Sequence, residues 1–163
     1  MTLKPEHEID QFDCGQAELN SWLHSWARRA AEADTARIFV VCRGASRVVG
    51  YFTLSAGAVA HHNTTGGKAP RALRQNAPDP VPVLVLGRLA VDLSEQRQGL
   101  GGALVAEAMR RAAQASMIVG ARALLVHALD DRLAGMYETL GFKRFNEASR
   151  TLYLPTRTIR GAL

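Results

Sequence analysis

The sequence predicts a mixed α/β domain, and three observations carry that prediction. Residues 37–42 (RIFVVC) and 48–55 (VVGYFTLS) are rich in β-branched and aromatic side chains. The turn residues RGAS lie between them, so the two runs read as an antiparallel hairpin. The second half alternates apolar strand-like runs with helix-periodic ones, which indicates a strand–helix–strand crossover and parallel pairing there. A chain of 163 residues is long enough for one domain with a sizeable core, and residues 1–163 are expected to form that single domain. The sheet is therefore expected to be mixed.

Taken in order, residues 16–33 predict one amphipathic helix. Leu19, Trp22, Leu23, Trp26, Ala27 and Ala30 recur at three- and four-residue spacing. The hairpin follows. Residues 60–80 are rich in Gly, Pro, Asn and Thr and predict a long surface loop with at most one short helical turn. Residues 82–91 (PVLVLGRLAV) are almost wholly apolar, as in a central strand covered on both faces. Gly87 inside that run signals a bulge or a close backbone approach. A helix is expected over residues 100–116, with Leu100, Leu104, Val105, Ala108, Met109 and Ala112 as its buried stripe. Glu107, Arg110, Arg111 and Gln114 should face water. A strand over 123–128, a helix over 131–140 stopped by Gly141, and a final strand over 150–155 complete the order.

The formal net charge is +5, from 20 Lys and Arg against 15 Asp and Glu, and the only lysines are Lys4, Lys68 and Lys143. An arginine-rich surface suits phosphate-bearing partners, and it equally suits a merely solvated face. Cys14 and Cys42 have no metal-type spacing and are expected to be free thiols in a reducing cytosol. The N-terminal residues lack the apolar core of a secretory signal, and no apolar run is long enough to span a membrane. His61 and His62 are adjacent loop residues without a third ligand nearby and are expected to be solvated, with no metal bound. His127, on a strand, is expected to be an interior side chain.

The segment SEQRQGLGG, residues 94–102, holds glycines at 99, 101 and 102, where a helix begins. Glycine disfavours helix interiors by about 1 kcal/mol relative to alanine, so the cluster needs a purpose. The first amides of a helix have no intrahelical acceptor and sit at the positive end of the helix dipole. Glycines let an anion such as a pyrophosphate approach those amides closely. Arg97 stands beside them as a charged partner. No Gly-Lys-Ser/Thr follows, so the segment is not a P-loop, and the spacing is wrong for a dinucleotide fingerprint.

Gln96-x-x-Gly99-x-Gly101 matches the (Arg/Gln)-x-x-Gly-x-(Gly/Ala) signature of GCN5-related N-acetyltransferases (GNATs). It follows LAVD and precedes, after a strand, AGMYETLGF, which resembles the second diagnostic block of the same superfamily. The resemblance covers essentially the whole chain. It implies a mostly antiparallel central sheet with one splayed parallel pair and helices on both faces, and acetyl-CoA as cosubstrate without a metal. The pantetheine arm would bond the backbone of Leu89, Ala90 and Val91. Gln96 and the segment Arg97, Gln98, Gly99, Leu100, Gly101 and Gly102 would hold the pyrophosphate. Tyr137 matches the tyrosine that donates to the departing thiolate. On its own spacing, Tyr137 reads as a core aromatic beside Leu133, Met136 and Leu140.

A general base is harder to place. The strand 83–91 carries no carboxylate, Asp92 and Glu95 flank the pyrophosphate turn, and Arg88 stands where a base would be sought. A lysine ammonium, with a pKa of about 10, needs such a base, whereas an α-amine near about 8, lower when its carboxyl is esterified, does not. Aminoacyl esters of tRNA are such amines.

Phe12–Leu23, Gly50–Val59, Pro70–Asp92 and Arg132–Phe142 resemble a narrower group, the tRNA-acetylating GNAT toxins of type II toxin–antitoxin systems. That resemblance implies acetylation of the α-amine of aminoacyl-tRNA, a block of translation in the cytoplasm, a ribbon-helix-helix antitoxin, contact with DNA only through that antitoxin, and a homodimer. Trp22, Arg28, Arg29, Lys68, Arg71, Arg74, Arg88, Lys143 and Arg144 are the candidate tRNA contacts, and each is also readable as a solvated surface charge or core residue. Trp22 and Trp26 are both candidates to stack on the acceptor end, with at least one of them packing in the core. The alternatives are acetylation of protein N-termini, lysines or small-molecule amines, and a non-enzymatic acetyl-CoA-binding regulatory domain.

Overall fold

The structure, a computed structural model, describes residues 1–62 and 67–162. Six strands form one sheet in the order β1-β2-β3-β4-β6-β5, which is mixed as expected. The chain divides into two compact units. The first comprises Met1–Ser55 and Gly87–Ala108, and the second Ala56–Leu86 with the chain from Met109 onward.

In the first unit, α1 (Ala17–Ser25) and α2 (Ala27–Glu32) precede the hairpin of β1 (Arg37–Arg43) and β2 (Arg47–Val59). The strands pair antiparallel from Arg37↔Leu54 to Arg43↔Arg47, with a bulge between Val41 and Cys42. The helical stripe of residues 16–33 is real, but the helix is broken: Trp26 leaves helical geometry at φ −120°. The periodicity reads through the break because Leu19, Trp22, Leu23, Ala27 and Ala30 pack on one core with Phe12, Ile38, Val40, Val48 and Tyr51. Arg28 is half-buried and donates to the carbonyls of Pro5 (3.3 Å) and His7 (2.8 Å), so it fastens the N-terminal segment. Both cysteines are free, as expected.

The second unit takes the start of β3 (Val81–Val91), the later turns of α4 (Leu100–Ser116), α3 (Arg71–Arg74), β4 (Ala123–His127), α5 (Asp131–Thr139), β5 (Lys143–Arg144), β6 (Thr151–Pro155) and α6 (Thr156–Ala162). β3 pairs in parallel with β4 at Leu84↔Leu124, Val85↔Leu125 and Leu86↔Val126, the expected crossover, and β4 pairs antiparallel with β6. Leu73, Val81, Val83, Ala123, Leu125 and Tyr153 form the core. The expected loop over 60–80 carries one short helix, α3, and residues 63–66 of it lie outside the described residues.

α4 has the bounds and the stripe that the sequence indicates, with Leu104, Val105, Ala108 and Ala112 buried. α5 starts on an Asp130 side-chain cap and ends on Gly141 at φ +103°, where Phe142 N donates to the Tyr137 carbonyl and Gly141 N to that of Glu138. β5, α6 and the last four residues of β2 were not expected. β2 passes so close to β3 there that a Cβ at Gly57 would lie 2.7 Å from Val85 Cγ2. His127 is a correction: it is exposed, with Nδ1 2.9 Å from Thr151 Oγ1, because it is the last residue of β4. No helix among the described residues is long and apolar enough to cross a membrane.

Candidate functional site

β3 ends at Val91, and the next residue, Asp92, is buried. Its carboxylate accepts from the Asp13 amide (2.9 Å), the Ser94 amide (3.0 Å) and the Ser94 hydroxyl (2.6 Å). Burial alone raises its pKa. The bonds from Ser94 and Asp13, with Arg47 at 3.7 Å, outweigh burial and hold it below the usual carboxylate range. A 3₁₀ turn, Leu93–Glu95, follows, and Gln96 Nε2 then donates to the carbonyls of Cys14 and Val91, both at 2.9 Å. The turn is thus tied to β3 and to the N-terminal segment before the glycines begin.

Arg97 at φ +64° and Gly99 at φ +83° both adopt left-handed geometry. None of the amides from Arg97 to Gly102 donates to another described residue, and the first helical bond is Ala103 N to the Gly99 carbonyl at 3.1 Å. A Cβ at Gly99 or Gly102 would meet nothing within 4 Å, so the chain is open beside these two glycines. Unpaired amides at the start of a helix carry partial positive charge, so this stretch could hold an anion. The Arg97 side chain is exposed and bonds no described residue. Leu89, Ala90 and Val91 supply the last residues of β3.

In the second unit, α5 places Tyr137 in the core, 5% exposed, with its ring edge-on to Phe142 at 5.4 Å. Burial raises its pKa to about 12. Its hydroxyl bonds no described residue, yet it is not a sealed polar atom, since no buried side-chain polar atom among the described residues lacks a partner. The hydroxyl therefore reaches solvent as a neutral donor. Leu133 and Met136 share its apolar face, as the spacing indicates, whereas Leu140 is exposed.

The first unit also holds an open cleft of about 400 Å³, lined in part by Trp22, Trp26, Arg29, Thr53, Ser55 and Arg88. Gly87 is needed there, since a Cβ would lie 2.9 Å from Thr53 Oγ1. Thr53 Oγ1 in turn accepts from the Arg88 amide at 3.1 Å. The Arg88 guanidinium lies over the Trp22 ring at 4.3 Å, and Trp22 stacks on Tyr51 at 6.2 Å. The Tyr51 hydroxyl donates to the Leu19 carbonyl at 2.7 Å, and burial pushes its pKa upward. Among the described residues no Asp or Glu lines the cleft. Glu95 is clasped by Arg43 at 2.6 and 2.8 Å, and Asp92 is buried in its own network, so neither is free to act as a base.

The other basic candidates separate by what they already hold. Arg74 Nε donates to the Ala69 carbonyl at 2.6 Å. Arg144 binds Glu138 (2.9 Å), Asp131 (3.4 Å) and the Ser149 carbonyl (3.2 Å). Lys68, Arg71 and Lys143 have exposed side chains without an acidic partner among the described residues. The sequence reading missed Thr53 and Ser55, although their two-residue spacing on a strand places both on one face. It also missed Asp13 and Asp92 as the anchor of the glycine turn, since Asp13 lies 79 residues away. Among the described residues no group of three His, Cys, Asp or Glu side chains is placed to hold a metal.

Comparison with known proteins places the chain among acetyltransferases. A profile of the Acetyltransferase (GNAT) family matches residues 4–142. A tRNA-acetylating toxin of Mycobacterium tuberculosis (strain ATCC 25618 / H37Rv) is 41% identical over 136 residues, covering 83% of this chain and 78% of that protein. A crystal structure of a tyrosine-to-phenylalanine mutant of KacT superposes with a TM-score of 0.86 at 31% identity, covering 97% of this chain and 93% of that one. AtaT complexed with acetyl-methionyl-tRNAfMet superposes with a TM-score of 0.86 at 30% identity, covering 99% and 96%. The AtaT–AtaR complex with acetyl-CoA does so at 0.84 and 31%, covering 99% and 95%.

Proposed function

The chain belongs to the Acetyltransferase (GNAT) family, and from that premise we propose that it transfers the acetyl group of acetyl-CoA to the α-amine of aminoacyl-tRNA. The carrying observation is the run of amides from Arg97 to Gly102 without a partner at the start of α4, which suits an anion such as the CoA pyrophosphate. The acceptor assignment is supported by the carboxylate-free cleft and by the relatives named above.

The amides of Arg97 to Gly102 bind the CoA pyrophosphate, with Arg97 as its charged partner and Gln96 fixing the turn. The backbone of Leu89, Ala90 and Val91 bonds the pantetheine arm as a neighbouring strand would. The acceptor α-amine arrives already neutral, so no protein base is required to remove its proton before attack. As the amine nitrogen bonds the acetyl carbon and the C–S bond breaks, the Tyr137 hydroxyl donates its proton to the departing sulfur. The proton released by the acylated nitrogen passes to solvent, and the Tyr137 phenolate regains one from solvent before the next turnover. Residues 1–163 act as one acetyltransferase domain. The antitoxin and DNA complexes of AtaT and KacT support a cognate antitoxin here and contact with DNA through it. A ribbon-helix-helix antitoxin, a homodimer and action in the cytoplasm are carried over from the family resemblance alone.

Mixing the protein with labelled acetyl-CoA and total charged tRNA tests this. Label should enter the aminoacyl group and be absent from deacylated tRNA. Label on protein or polyamine instead would overturn the reading.

A further inference from the structure

We propose that the cleft beside α2 seats the terminal nucleotide of the tRNA acceptor strand, with Trp26 as its stacking platform and Arg29 and Arg88 as its phosphate partners. This assignment rests on the aminoacyl-tRNA reading above and names the part of that substrate the cleft takes.

Trp26 and Trp22 differ in what they have left to offer. The Trp22 ring already holds Tyr51 and the Arg88 guanidinium. Trp26 is 56% exposed, and its one aromatic-type contact is Arg29, whose guanidinium lies 5.3 Å from the ring centroid. A large flat side chain left open to water beside a cation is how proteins stack unpaired bases, since every base has a π-face and a nearby phosphate. Trp22 is accordingly a positioning residue that holds Arg88 in place.

Charge points the same way. Among the described residues, Arg29 and Arg88 are the only charged groups lining the cleft, and neither has an acidic partner there. Such a site repels a polyamine or a lysine ammonium and attracts an anion. The Ser55 hydroxyl, which bonds no described residue, is available to a ribose or a base edge. A cleft of about 400 Å³ exceeds an amino-acid side chain and suits a nucleotide. All mature tRNAs end in the same CCA sequence, so recognition here is independent of the amino acid carried.

The test uses a labelled, uncharged RNA minihelix ending in CCA, compared with one lacking the terminal adenosine. Wild-type protein should bind the complete end more tightly, by roughly 5- to 150-fold, the span of one base stacked on an aromatic ring. Trp26→Ala should lose that preference, Trp26→Phe should recover most of it, and Arg29→Gln should weaken binding of both RNAs. In transfer assays Trp26→Ala should raise KM by one common factor across different aminoacyl-tRNAs. A Trp26→Ala protein that still prefers the complete end overturns the assignment, and so does a loss that varies with the amino acid, which would place the side chain in the cleft. A wild-type protein that reads the terminal adenosine yet acetylates no charged tRNA sinks the functional reading alone. One that acetylates charged tRNA while ignoring the adenosine sinks the cleft assignment alone.

Discussion

Two buried tyrosines with upward-shifted pKa values differ in one hydrogen bond. Tyr51 donates to the Leu19 carbonyl and stacks with Trp22, so its hydroxyl is committed to the fold. Tyr137 is as deeply placed, but its hydroxyl holds no described partner. Tyr137→Phe keeps the edge-on packing against Phe142 and removes only the donor, so the melting temperature should barely move and acetyl-CoA affinity should persist. The kcat should fall by about 10²-fold or more, the usual scale for a lost general acid. The pH dependence follows from the raised pKa. A phenol at about 12 stays protonated throughout the neutral range, so kcat/KM should rise as the acceptor amine deprotonates near or below pH ~8 and then stay level. A falling limb between pH 8 and 10 would show that Tyr137 is not the proton donor.

At the scale of the element, the glycine turn sets binding against stability. Gly102 lies within α4, and a methyl group added there would have nothing within 4 Å, so Gly102→Ala should stabilise the helix by about 0.5–1 kcal/mol. If these amides hold the pyrophosphate, the same methyl group crowds its approach, and acetyl-CoA binding, measured by calorimetry, should weaken by about tenfold or more, equivalent to one hydrogen bond to a charged group. If stability and affinity rise together, the amides do not hold the pyrophosphate. Asp92 is the turn's anchor from the other side. Asp92→Asn should cost about 1.5–3 kcal/mol, since three donors then meet a neutral amide. The Asp92 pKa is lower folded than unfolded, so its contribution is present above about pH 4 and is lost as pH falls through the folded value. The gap between wild type and variant in denaturant titrations should therefore close on acidification. These elements also show what the sequence can disclose. α4 was legible to its bounds because its apolar stripe and its glycine start are both local signals. Gly87 was legible as a close approach, and Thr53 proves to be what approaches it. The break at Trp26 was not legible, because the helices on either side serve one core and keep one periodicity. β5 has two residues and no period to read, and α6 carries a single fully buried apolar residue, Ile159. Tyr137 and the glycine turn stand out by pattern, whereas the Asp13–Asp92–Gln96 anchor exists only once distant segments meet.

For the molecule as a whole, net charge overstates the surface offered to RNA. The formal excess is +5, but many of the cations it counts are already engaged. Arg43 holds Glu95, Arg47 approaches Asp92, Arg150 and Arg144 share Asp131, and Arg28 binds two carbonyls. Lys68, Arg71, Arg97 and Lys143 have no such partner among the described residues. Each phosphate contact made by a free cation releases a condensed counterion, worth about 0.7–0.9 in the slope of log affinity against log salt. Arg71→Gln should therefore weaken tRNA binding and flatten that slope by nearly one. Arg144→Gln should leave the slope unchanged while lowering the melting temperature, because its guanidinium joins α5 to the Ser149 carbonyl and its side chain is only 19% exposed. Filter binding of charged tRNA from about 50 to 200 mM salt reads both variants on one axis. Equal slopes for Arg71→Gln and wild type would remove Arg71 from the RNA path. A slope flattened by Arg144→Gln would mean that its ion pairs open to let it reach a phosphate, against the commitment its three partners describe.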